Sequence, residues 1–413
     1  MDSLHDSKAF RVRHMSAEKL LALRQLFKNC LYLGDMTSVI EKSLEEMECL
    51  DFADVCEYLD KEAQLAPLLW WHLKQRSLTR RLEQRLAAYL ERRYQENVAR
   101  NFLFERRLEQ ILQDFNRHEV EVLVLKGASS FVGPLSVFRD AFVLSDMDLM
   151  VMPAELERAT EILISSGYSL ENSEAMCGGG KRGFLGADNV TVIDLHSALF
   201  WAGVGFNYLD SFPSDVWEAS IPDSLGGYPV RVLSLEGQVC FRLAHDAIGH
   251  RTLLLSNIGR LYYFCLLIDF YRESIDWSQL LQKLKLSGTD RLLAAYAHYG
   301  KRELGLSLPP ALQKYRRGVD DVAYLDAVTD ASDRLADYSY RASVATLTTP
   351  SFPKRIQHVY ESAVRDCVVR HLARKGAVAR LRGLIVMFKT ACLQILAVLY
   401  VSIHRSPPFD LGG

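Results

Sequence analysis

With 413 residues, 49% of them hydrophobic and 24% charged, the chain has the balance of a soluble globular protein and the length for two domains or one domain with large helical additions. A formal net charge of −2 excludes bulk electrostatic capture of nucleic acid and leaves room only for a local basic groove. The eight cysteines (30, 49, 56, 177, 240, 265, 367 and 392) are scattered without a CxxC pair, which argues against a zinc site or a disulfide framework and for reduced core thiols in a cytosolic protein.

Met1 to His14 is polar and lacks the apolar core of a signal peptide. From about residue 16 to 117 the pattern is helical. Ser16-Ala17-Glu18 reads as a helix start, and Ala17, Leu20, Leu23 and Phe27 follow at helical spacing, with Leu21 widening the stripe. Leu65 to Trp71 is dense in large apolar residues, and Trp70-Trp71 reads as core. Leu78 to Phe115 has no Gly or Pro and predicts one long helix. Its many arginines alternate with glutamates, the pattern of a solvated, salt-paired face.

The character changes at Glu119. Val120 to Leu125 is a β-branched apolar run that predicts a strand, and Lys126-Gly127-Ala128-Ser129-Ser130 then turns into a short helical stretch ending near Gly133-Pro134. A strand, a glycine turn and a helix start leave backbone N–H groups facing outward, a natural anion site. Leu144 to Val151 predicts a second strand that carries Asp146 and Asp148 on one face and Met147 and Leu149 on the other. Two like charges in a buried run need a compensating cation, so a divalent metal site is the economical reading. Ala154 to Ser166 predicts a helix closed by Gly167, and Tyr168 begins an extended segment. Cys177 to Gly183 is glycine-rich without the lysine-to-hydroxyl spacing of a P-loop, and reads as a connection between strands. Val190 to His196 is a further strand with Asp194 and His196 on one face.

From Leu233 the chain is helical again. Ser234-Leu235-Glu236-Gly237 opens a helix running through His245, Ile258 to Tyr271 forms another, and Ile275-Asp276-Trp277 opens the next. His245 and His250 are five apart, the wrong spacing for a zinc pair on one helix face, and read as core or hydrogen-bonding histidines. Leu384 to Ile403 is strongly apolar but carries Lys389, and five basic residues precede it; it reads as a buried or amphipathic helix, with contact at the inner membrane face through 380–404, or a membrane span, as the alternatives.

The chemistry converges on three carboxylates. Asp146, Asp148 and Asp194 on neighbouring strands would hold Mg²⁺, or Mn²⁺, as phosphoryl or nucleotidyl transfer requires, and Asp194 also suits a base that draws a proton from an acceptor hydroxyl. Gly127 would let backbone approach a triphosphate, Ser129 or Ser130 would add a hydroxyl contact, and Lys126 would neutralise phosphate charge.

Leu-Lys-Gly-Ala at 125–128, Asp-Met-Asp-Leu-Met-Val at 146–151, Gly-Tyr at 167–168 and Asp-Leu-His at 194–196 occur in that order. Together they resemble the DNA polymerase β-like nucleotidyltransferase superfamily, and more closely a little-characterised bacterial family of it associated with polysaccharide or peptide biosynthesis clusters. Leu-Ser-Leu-Glu-Gly at 233–237, the helix of His245 and His250, the Asp269 helix and Asp276-Trp277 extend the likeness, which covers roughly residues 100 to 310. The resemblance implies an α+β fold in which a small mixed sheet (118–232) is flanked by helical regions (1–117 and 233–413). It also implies transfer of a nucleoside monophosphate from an NTP at Asp146, Asp148 and Asp194, with Lys126, Gly127, Ser129, Ser130, Arg139 and His196 around the nucleotide. One departure stands out: related sequences often carry an arginine a few residues before the first aspartate, whereas here Phe142, Val143 and Leu144 fill that stretch and Arg139 lies further upstream. The acceptor, whether a sugar phosphate, peptide, protein or RNA, has no readable code. A non-catalytic scaffold with this fold, and a toxin–antitoxin-type enzyme modifying tRNA or protein, are the alternative readings.

Overall fold

The computed structural model describes residues 17–61, 64–171, 181–197, 216–217, 220–243, 245–246, 257–287 and 290–314. The expected C-terminal helix at 384–403, His250 and the glycines at 178–180 lie outside the described residues.

Four helices open the fold: α1 (Ala17–Cys30), α2 (Thr37–Glu48), α3 (Phe52–Lys61) and α4 (Leu65–Gln75). Leu23 and Phe27 are buried as the spacing predicts, but Leu21 is 67% exposed. At about 100° per residue it sits on the flank of the stripe and faces water instead of widening it. Trp70 is buried, and Trp71 meets Phe138 edge-on at 6.0 Å. A single 3₁₀ turn (Thr79–Arg81) precedes the long helix α5 (Gln84–Arg117), 34 residues or roughly 50 Å. The helix starts later than the residue pattern suggests because Glu83 caps it, its carboxylate accepting from the Leu86 N–H at 3.0 Å.

Among the described residues the sheet has seven strands in the order β3-β4-β5-β2-β1-β7-β6: β1 (Val122–Leu125), β2 (Met147–Val151), β3 (Ser169–Leu170), β4 (Lys181–Leu185), β5 (Val192–His196), β6 (Ser220–Leu225) and β7 (Tyr228–Leu233). The β2–β5 and β1–β7 pairs are parallel and the others antiparallel. With α6 (Leu156–Ser165) crossing after β2, and α7 (Leu235–Arg242), α8 (Ile258–Phe270), α9 (Trp277–Ser287), α10 (Asp290–Leu304) and α11 (Pro310–Gln313) after the sheet, the architecture is α+β. Gly167 takes a φ of +90° just beyond α6, the left-handed helix exit its position predicts.

Alternation along the strands gives the sheet two different faces. Val122, Val124, Met147, Leu149, Val151, Ile193 and Leu195 join the main core with Phe104, Leu108, Ile111 and Phe115 of α5 and Ile162 of α6. Truncating one of these to alanine costs about 2–5 kcal/mol. The opposite face carries a small apolar group, Leu123, Leu125, Met150, Val216, Leu233 and Phe241, and beside it the polar residues described next. The five described cysteines are free thiols, and no described helix is long and apolar enough to cross a membrane.

Candidate active site

Strand register brings the acidic residues together. Asp148 of β2 pairs directly with Asp194 of parallel β5, and Met150 with His196, so residues nearly fifty positions apart lie side by side on one face. Asp148, Asp194 and His196 each offer a ligand atom, all within 4.8 Å of one another. Asp148 is 1% exposed and His196 fully buried, while Asp194 keeps some contact with solvent.

Each carboxylate already has cationic company. Lys126 Nζ lies 2.5 Å from Asp148 Oδ1, and Lys181 Nζ lies 2.5 Å from Asp194 Oδ2. His196 Nε2 is 3.0 Å from Asp148 Oδ1. Since an ionised carboxylate only accepts, the imidazole proton sits on Nε2 and points at it. Burial alone would raise the Asp148 pKa, but the His196 hydrogen bond and the Lys126 charge outweigh it and hold the carboxyl below its ordinary value. Asp148 is therefore a carboxylate kept charged in a buried place. Lys181 had no sequence signature: it opens β4 directly across from His196, and only the register puts it on Asp194.

Asp146 sits one residue before β2, half-buried, accepting from Ser145 Oγ at 2.7 Å. It lies outside the group of three whose ligand atoms converge. Its charge acts on Arg100 of α5, whose guanidinium lies over the Phe104 ring at 5.5 Å and whose buried Nε has no hydrogen-bond partner. Arg139 is turned away: Glu105 of α5 clasps it in two contacts, Nη1 to Oε1 at 2.9 Å and Nη2 to Oε2 at 2.5 Å. Arg100 is thus the arginine near the first aspartate, supplied by a distant helix rather than by the residues just upstream.

The Lys126 turn is a 3₁₀ helix (Lys126–Phe131). Lys126 itself has φ +50°, a left-handed conformation unusual for a side chain with a Cβ, and this backbone places its ammonium on Asp148. Ser129 and Ser130 are buried and donate to the Lys126 and Gly127 carbonyls at 2.5 and 2.7 Å, tying the turn together. A Cβ on Gly127 would come to 3.2 Å from Leu144, so the missing side chain also serves the packing of the turn on the segment before β2.

The donor set suits a hard divalent ion. Two carboxylates within reach of one another, one of them partly open to water, match the few protein oxygens that Mg²⁺ or Mn²⁺ takes alongside water and phosphate. His196, with its proton directed at Asp148, fits the role of the group that orients a ligand. Neither a curated protein nor a solved structure matches the chain. Residues 54–305 do match a family profile, and on that match, which takes in the turn, the paired aspartates and the helices α3 to α10, the chain belongs to a family described as uncharacterised nucleotidyltransferases.

Proposed function

We propose that the protein transfers a nucleoside monophosphate from an NTP to a hydroxyl or phosphate acceptor, with Mg²⁺ or Mn²⁺ held by Asp148 and Asp194, and with Asp146, which stands outside that group in the free protein, joining as a ligand when ion and nucleotide bind. The observation that carries this reading is the direct pairing of Asp148 and Asp194 across β2 and β5, with a lysine ammonium on each. Paired carboxylates in such a place, each with an ammonium that a cation could replace, form a site prepared for positive charge.

The chemistry a bound ion supplies is neutralisation of the triphosphate charge at the reacting phosphorus. The chain's own residues do the rest. Asp194, the more open of the pair, takes the proton from the acceptor oxygen as that oxygen bonds to the α-phosphorus and the bond to the leaving pyrophosphate breaks. Lys126, Gly127, Lys181 and Arg100 face the phosphates, Ser129 and Ser130 fix the turn that presents them, and His196 keeps Asp148 ionised and oriented. Arg139, clasped by Glu105, anchors the segment before β2 instead of meeting the nucleotide. The acceptor is a sugar phosphate, peptide, protein or RNA.

Thermal unfolding of the wild-type chain and of Asp148→Asn, each with Mn²⁺ and the four NTPs in turn, tests the proposal. At least one NTP should raise the wild-type melting temperature only when the ion is present, and the variant should lose that rise. No metal-dependent rise with any NTP, together with no pyrophosphate release when cell extract is added as a source of acceptors, would sink it.

A further inference from the structure

A second charged group lies over the catalytic face of the sheet. Phe241 of α7 packs with Leu123, Leu125 and Met150, the apolar neighbours of Asp148 on that face. At the end of α7 the backbone widens into π-type turns at Leu243, His245 and Asp246, a local geometry that recurs at functional sites. Asp246 is 1% exposed and meets three groups there. His245 Nδ1 lies 2.6 Å from Oδ1, Arg242 Nη1 3.5 Å from Oδ2, and Arg260 Nη1, from the first turn of α8, 3.9 Å from Oδ1.

These contacts do not amount to a satisfied structural network. One carboxylate serves two guanidiniums, neither in the short bidentate geometry that Arg139 makes with Glu105. Arg242 Nη2 and Asp246 Oδ2 are both buried without a hydrogen-bond partner. Arg242 is pinned on the Phe142 ring at 5.2 Å, and Phe142 stacks on Tyr263 at 4.3 Å, so its place is fixed. Arg260 is the open member, its side chain 26% exposed and too far from Asp246 for a hydrogen bond. Burial lowers the His245 pKa, the Asp246 contact opposes this, and the charges of Lys126 and Arg260 lower it further. The imidazole therefore adds no charge, and two guanidiniums outweigh one carboxylate. His245 stacks on Phe241 at 5.6 Å, and Phe241 packs with the apolar neighbours of Asp148, so the cluster borders the Asp148 site.

We propose that Arg260 takes the terminal phosphates of the incoming nucleotide, opposite Lys126, and that Arg242 and Asp246 are positioning residues that hold its guanidinium toward the site. This rests on the nucleotidyl-transfer reading and adds to it the cation that receives the leaving pyrophosphate. An anion seated between Lys126 and Arg260 would balance the two guanidiniums that face one carboxylate among the described residues of the cluster.

Calorimetric titration of the full chain with inorganic tripolyphosphate and Mn²⁺, and with Mn²⁺ alone, tests this on the wild type, Arg260→Gln, Arg260→Lys and Asp246→Asn. Arg260→Gln should weaken tripolyphosphate binding by roughly tenfold to a hundredfold, as loss of a charge-assisted contact does, and leave Mn²⁺ binding unchanged. Arg260→Lys should recover part of the loss, and Asp246→Asn should weaken tripolyphosphate more than Mn²⁺. If Arg260→Gln and Arg260→Lys both bind tripolyphosphate as the wild type does, the assignment is overturned while nucleotidyl transfer stands. If binding depends on Arg260 but no NTP yields pyrophosphate, the phosphate site stands and the transfer reading falls. A wild type that binds neither tripolyphosphate nor any NTP overturns both.

Discussion

Lys126 resolves the central conflict of the site. Asp148 is buried and charged, and an unpaired buried carboxylate destabilises a fold by several kcal/mol. The lysine's side chain is 16% exposed and that of Asp148 only 2%, so little water screens the pair. Its left-handed φ costs about 1 kcal/mol, a strain that persists where the surrounding contacts over-determine it. Replacing Lys126 by Met should therefore destabilise the metal-free protein by about 3 kcal/mol, and Mn²⁺ should recover part of that loss by supplying the missing charge. Urea unfolding with and without Mn²⁺ reads both effects. Lys181→Met should cost less, because Asp194 is more exposed than Asp148 and water solvates what the lysine leaves. A Lys126→Met variant as stable as the wild type without metal would mean that another group neutralises Asp148.

Helix α5 carries the site's geometry at the next scale. Asn97 and Asn101 are buried on its inner face, and their amides reach over to the segment that leads into β2. Asn97 Nδ2 donates to the Asp140 and Phe142 carbonyls at 3.0 and 2.9 Å, and Asn101 Nδ2 to those of Arg139 and Phe142, both at 2.8 Å. Asn101→Leu keeps the volume but takes the side-chain donor from the Arg139 carbonyl and leaves that of Phe142 to Asn97 alone, so it should destabilise by roughly 2 kcal/mol. It should also loosen the backbone at 139–146, seen as faster amide exchange there than in β5. Exchange at 139–146 no faster than in the wild type would mean that α5 does not hold this segment. The face of α5 also shows how far local pattern reaches. Charge alternation along the helix correctly predicts a salt-paired surface: Arg93 meets Glu96 at 2.9 Å, and Arg106 pairs with Glu109. Arg100 shares the face of Asn97, Asn101 and Phe104 by helical spacing, but the Asp146 charge that acts on it comes from a distant segment, and no local pattern encodes that interaction. The same holds at the sheet. The strands, the Lys126 turn, Asp148 and Asp194 were legible as motifs, whereas Lys181 on Asp194 and Asp246 between two arginines arise from pairing and packing of distant segments. His196 shows both sides, its position on the strand face being readable and its hydrogen bond to Asp148 being a product of register.

At the scale of the molecule, the N-terminal helices close on the C-terminal ones. Lys28 of α1 pairs with Glu303 of α10, and the Leu33 N–H donates to the Leu304 carbonyl at 2.7 Å. Between α4 and α8 the clasp is held by His72, whose Nδ1 lies 2.6 Å from the Tyr262 hydroxyl. Burial, with the nearby Arg76 charge, pushes the His72 pKa down to about 3. The folded protein thus keeps this imidazole neutral, while in the unfolded chain it titrates near its ordinary value of about 6.5. Between these two values the unfolded state binds one proton more, so stability is complete above pH 6.5 and falls as the pH drops toward 3, by about 1.4 kcal/mol for each pH unit. His72→Gln retains a polar partner for the Tyr262 hydroxyl and removes the titration. The stability difference between wild type and variant, from urea unfolding, should therefore shrink by roughly 2 kcal/mol between pH 6.5 and pH 5. The remaining histidines and carboxylates are common to both proteins and cancel in that difference. A difference that stays constant over this range would mean that the α4–α8 contact accepts a charged imidazole, and that the acid sensitivity of the fold arises elsewhere.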